Sequence, residues 1–102
     1  MRYIHRQVLK TLNPLKRQGS RKAKKEEVQK NVRFVNWIAE RNNSVKTIEN
    51  LGLKHVEQFL RNLAAKGRSI STQTKYFTAI KKLWEFSDKN GDFDELRRTL
   101  SL

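Results

Sequence analysis

An all-α fold, a compact bundle of four to five helices, follows from three features of the 102-residue sequence. Every stretch with a clear apolar pattern repeats its hydrophobic residues every three or four positions, the spacing of one helix face. No stretch alternates apolar and polar residues for long enough to make a strand. The helical stretches are separated by stop and start signals at Asn13-Pro14, Gly19-Ser20, Gly67 and Gly91-Asp92.

The first helix carries Ile4, Val8, Leu12 and Leu15 on one face, with Arg2, Arg6, Lys10 and Arg17 elsewhere. Pro14 interrupts it, because proline disfavours a helical residue before it and lacks a backbone N–H. The polar, basic link KRQGSRKAKK follows, in which Gly19 breaks the chain and Ser20 is a candidate cap. Residues 1–19 therefore read as a basic amphipathic helix and linker, and residues 20–102 as a helical domain. The second helix, about 21 to 42, sets Val28, Val32, Val35, Ile38 and Ala39 on one face, with Phe34 and Trp37 widening the stripe. NNSVKTIENLG is a connector with one helical turn. A third helix, about 54 to 66, buries Val56, Phe59, Leu60 and Leu63, and Gly67 stands where a C-terminal glycine belongs. The fourth carries Tyr76, Phe77, Ile80, Leu83 and Trp84 on its core face and is expected to end at Gly91. Trp37 and Trp84 are expected to be buried against each other's helices. A short last helix, about 93 to 100, starts at Asp92 with Glu95 at capping-box spacing.

Charge narrows the function. The chain has 23 Lys and Arg against 10 Asp and Glu, a net charge of +13, and nine of the basic residues fall within the first 25 positions, where there is no acid. Such a field favours a polyanionic partner. Cysteine is absent, so disulfides and thiolate metal sites are excluded. No apolar run is long enough for a membrane span and no signal peptide is visible, so a soluble, cytoplasmic protein is expected.

The start of the fourth helix concentrates the candidate site. Ser69, Ser71, Thr72 and Thr74 crowd six positions, and Lys75 follows at once. One hydroxyl suffices to cap a helix. Ser71, Thr74, Lys75, Thr78, Lys81 and Lys82 turn away from the core stripe, and on the second helix Lys22, Lys25, Gln29 and Arg33 lie opposite the core. Hydroxyls, amides and long cations supply most contacts to DNA phosphates and base edges, and a helix N-terminus attracts phosphate.

From about Ser20 to Gly91, roughly 70% of the chain, the sequence resembles the core-binding domain of tyrosine recombinases, the phage integrase group, also called the SAM-like integrase N-terminal domain. The resemblance is carried by EEVQKNVRFVNWIAERN, LKHVEQFLRNLAAKG and SISTQTKYFTAIKKLWEFSDKNG. LKRQGS and LKHV further resemble integrases of mobile elements. The resemblance implies half of a C-shaped clamp around double-stranded DNA near the recombination site, with two helices crossing the major groove. Carried over by position, these are the second and fourth helices, giving Lys22, Lys25, Gln29 and Arg33 on one. The other supplies Arg68, Ser71, Thr72, Gln73, Thr74, Lys75, Thr78 and Lys81. It further implies assembly with other recombinase protomers on DNA and a place in the bacterial cytoplasm or nucleoid. No membrane, small-molecule substrate or cofactor is expected.

The family cuts DNA with a tyrosine nucleophile supported by Arg, Lys and His in a C-terminal catalytic domain, which this sequence lacks. Tyr3 sits in the basic first helix and Tyr76 on a core face, so no enzymatic activity is expected of this chain. His5 and His55 are isolated and read as surface or partly packed residues rather than ligands. DKNGDFDE echoes a calcium loop but puts Phe93 and Thr99 where glycine and glutamate are required. A stand-alone DNA-binding regulator or architectural accessory protein of a mobile element is the alternative within DNA binding. From other classes, the rivals are a basic amphipathic first helix lying on anionic membrane and a basic protein-binding helical module.

Overall fold

Among the described residues five helices follow one another: α1 (Tyr3–Thr11), α2 (Arg21–Arg41), α3 (Leu53–Ala65), α4 (Ile70–Phe86) and α5 (Phe93–Thr99), with a 3₁₀ turn at Ile48–Asn50 between α2 and α3. The computed structural model describes residues 2–14 and 21–102, with side chains in α2 from Lys24 onward. Expectations at Leu15, Arg17, Gly19, Ser20 and Lys22 lie outside those descriptions. Among the described residues there is no strand, and no helix is long and apolar enough to cross a membrane.

Ile4, Val8 and Leu12 fall at i, i+4 and i+8, and all three are buried in the same cluster as the apolar faces of α2, α3 and α4. α1 is thus one layer of the bundle. Gln7 fixes it in place: its side-chain oxygen accepts the Ile48 N–H at 2.8 Å while its nitrogen donates to both Glu49 oxygens at 3.2 Å. The radius of gyration, 12.9 Å, matches the ~13 Å of a folded domain of this length, as an integral α1 requires.

α2 and α4 form the main packed pair. Val28, Val32, Val35 and Ile38 are buried as their spacing predicts, and Phe34, which widens the stripe, is fully enclosed. Asn31, 0% exposed, lies on the same stripe. Its amide donates to the Ala79 carbonyl of α4 at 2.8 Å and to the Glu27 carbonyl at 3.1 Å. These two donations fix the register of α2 against α4, while the buried side-chain oxygen of Asn31 has no partner among the described residues.

The aromatic core separates the two tryptophans. Trp37 packs edge-on against Phe59 of α3 at 5.6 Å and remains half-buried, while the buried Trp84 packs edge-on against Phe93 of α5, also at 5.6 Å. Trp84 is buried as expected, whereas Trp37 is half-buried, which corrects the expectation of burial there; each ring meets an aromatic ring from a different element. The connector also contributes more than one helical turn, since Val45, Ile48 and Leu51 join the core.

α3 and α4 end by one device, a residue in the left-handed region just past the helix. At α3, Gly67 takes φ 80°, its N–H donates to the Ala64 carbonyl at 3.0 Å, and the Arg68 N–H reaches the Leu63 carbonyl at 3.0 Å. α4 stops at Phe86, five residues before the expected Gly91. Asp88 takes the left-handed position (φ 55°), and the Lys89 N–H donates to the Trp84 carbonyl at 2.9 Å. Aspartate tolerates that region better than most residues, so no glycine is needed to end the helix. Gly91 serves a different purpose: a Cβ there would stand 3.1 Å from Leu53 Cδ2 and 3.2 Å from Trp84 Nε1. Asp92 caps α5 as expected, its carboxylate accepting the Glu95 N–H at 2.9 Å.

Candidate nucleic-acid interface

The hydroxyl-rich start of α4 has a division of labour. Ser69 is the cap, its Oγ accepting the Thr72 N–H at 3.1 Å. The Thr72 hydroxyl lies 3.1 Å from that same oxygen. Thr74 turns back on its own helix, donating to the Ile70 carbonyl at 2.9 Å. The side chain of the exposed Ser71 has no hydrogen bond among the described residues. Three of the four hydroxyls therefore serve the helix end, and one faces outward. Gln73 is also occupied, its amide donating to the Arg68 carbonyl at 2.9 Å. That bond and the bonded Arg68 N–H hold the backbone from which the Arg68 side chain projects.

The crossing of α2 and α4 leaves two neighbouring surface hollows. One, of about 330 Å³, is lined by Lys30, Arg33, Arg68, Thr72, Lys75 and Tyr76, with Leu63 at its edge. No carboxylate lines it. Its buried wall is Tyr76, 7% exposed, whose hydroxyl accepts from Arg33 Nη1 at 3.2 Å and whose ring lies 5.6 Å from Lys30 Nζ. The second hollow, of about 280 Å³, is lined by Thr74, Lys75 and Thr78 together with Lys30, Glu26 and Glu27. Glu27 also holds Lys82 of α4 at 3.8 Å, so that lysine is neutralised locally.

The sequence candidates thus sort into groups. Arg33, Arg68, Thr72 and Lys75 come together in the cationic hollow. Thr74 and Thr78 meet Lys75 beside two acids from α2, which the outward face of α4 taken alone does not reveal. Lys25, Gln29, Ser71 and Lys81 are exposed and stand outside both hollows. Glu26 and Glu27 in the second hollow, and Lys30 and Tyr76 in the cationic one, escaped sequence reasoning as site residues. Lys30 is half-buried one position from the buried Asn31, and Tyr76 reads as core because its ring is core. The available signal for Lys30 is its i, i+3 spacing to Arg33, which puts both on the flank turned toward α4. Exposed beside this region is Ile70, 66% accessible at the first position of α4.

His55 is buried, at 4% exposure, rather than on the surface. Its Nδ1 accepts the Gly52 N–H at 2.9 Å and so closes the start of α3. Burial, with the nearby Lys54 adding to it, lowers its pKa from the ordinary histidine value.

No family model matches the sequence, and no curated protein or solved structure matches it either.

Proposed function

We propose that this chain grips duplex DNA through the face shared by α2, α4 and the turn before α4, as the DNA-binding part of a tyrosine recombinase or integrase that carries no catalytic residues of its own. The observation that carries the reading is the convergence of Lys30, Arg33, Arg68 and Lys75 on one carboxylate-free hollow in a chain of net charge +13. A surface that is basic only for solubility gains nothing from gathering like charges at one concavity, whereas an anionic backbone is gripped by such a cluster. The recombinase part of the reading rests on the sequence resemblance, and the compact all-helical bundle agrees with it at the level of fold class alone.

The test is the salt dependence of binding to a duplex, followed by fluorescence anisotropy. With about five phosphates neutralised, log affinity falls against log salt with a slope of about −4 to −5. Absence of binding at low salt, or a slope near zero, removes duplex DNA as the partner. Affinity of the isolated chain is expected to be weak, because half of a clamp grips less than a whole one.

A further inference from the structure

We infer that the hollow between α2, the α3–α4 turn and α4 is a seat for a single backbone phosphate, held jointly by Lys30, Arg33, Arg68, Lys75 and the Tyr76 hydroxyl. The inference rests on the duplex-DNA reading and deepens it, because it separates a phosphate-holding end of the interface from the end near Thr74 and Thr78.

Four features carry it. The cations arrive from three different elements, so the cluster is a product of the fold and not of a local charge run. None of the four forms an ion pair among the described residues, whereas Arg2, Arg41, Arg61 and Lys82 each have a glutamate within 4 Å. The Tyr76 hydroxyl accepts from Arg33 and has no acceptor for its own proton among the described residues. A phosphodiester offers only acceptors, so it fits that donor together with the cations. In the neighbouring hollow Glu26 and Glu27 offset Lys30 and Lys75, so it lacks the positive excess that the carboxylate-free hollow offers an anion.

The ligand is a phosphate and not a whole nucleotide. The Tyr76 ring is packed edge-on against Phe59 at 5.3 Å with Lys30 Nζ 5.6 Å from its centre, so it offers no free face on which a base can stack. Thr72, with its hydroxyl turned to Ser69, borders the seat without being needed to hold the anion.

Shared use of one phosphate has a distinctive consequence. Each phosphate contact contributes about one unit to the log–log salt slope. If four cations serve one phosphate, removing two of them in the double variant Lys30→Ala/Arg68→Ala loses that one contact and flattens the slope by about one unit, with Arg68→Ala losing no more than the double variant. If each cation meets its own phosphate, the double variant loses about two. Neither side chain belongs to the core, and circular dichroism checks that both variants fold. Lys46→Ala, in the connector, is the comparison.

The experiment measures duplex binding against salt for these four proteins, on two unrelated duplex sequences, beside an amide chemical-shift titration of the wild-type chain with inorganic phosphate. The expected result is a double variant whose slope is flatter by about one unit on both duplexes, with Lys46→Ala unchanged. A loss of about two units, no loss, or an equal loss in Lys46→Ala overturns the seat while leaving duplex binding intact. A wild-type chain that fails to bind either duplex at low salt overturns the duplex reading, and with it the assignment to a DNA phosphate. In that event, phosphate-induced shifts at Arg68 and Tyr76 would identify a small free anion as the ligand.

Discussion

The ring of His55 accepts the Gly52 N–H through Nδ1, which requires that nitrogen to be unprotonated. Burial pushes in the same direction, holding the pKa below the ordinary 6.5. The folded chain thus binds a proton less readily than the unfolded one. Above the unfolded value both states are neutral and nothing changes; as pH falls through about 6.5 toward the folded pKa, the unfolded state gains a proton first and stability drops. Urea midpoints at about pH 7.5 and about pH 5 measure this, and His55→Gln, which keeps an acceptor for Gly52, should lose less stability over that interval than the wild type. An equal loss in both would assign the acid sensitivity to other groups. Arg33 is the corresponding residue at the candidate interface, because its bond to the Tyr76 hydroxyl links an exposed charge to the core.

At the scale of elements, α4 explains both the fold and the crowding of hydroxyls at its start. Ser69 caps it, and Thr72 and Thr74 serve the same first turns. Ser69→Ala should therefore cost about 1 kcal/mol of stability. Ser71→Ala, which removes no hydrogen bond among the described residues, should stay within about 0.5 kcal/mol. Thermal melts of the two variants decide it, and equal destabilisation would mean the cap is shared. Most element positions were legible, because apolar spacing of three and four marks α1 to α4 directly and Asp92 marks α5. The end of α4 was not legible, because Asp88 takes a left-handed position that pattern rules reserve for glycine. Val45, Ile48 and Leu51 were missed as core because a connector has no periodicity to read. Lys30 and the acids opposite α4 were missed for a different reason. A helical wheel shows which way a side chain leaves its own helix, and only the α2–α4 crossing shows what stands across from it.

On the scale of the whole molecule, α1 is a core layer whose Ile4, Val8 and Leu12 are buried, so deleting it to remove its charge would also open the bundle. The positive charge of the N-terminal segment must instead be probed by substitution at exposed positions such as Arg6 and Lys10. The central claim is that the crossing of α2 and α4, and not the general basicity of the surface, meets the DNA. The most direct measurement is an amide chemical-shift map of the full chain titrated with duplex DNA at low salt. Shifts are expected to concentrate at residues 25–33 and 68–78, with the largest changes around Lys30, Arg33, Arg68 and Lys75, while α1 and α5 stay quiet. Shifts confined to α1, or spread evenly over every basic segment, would contradict the claim.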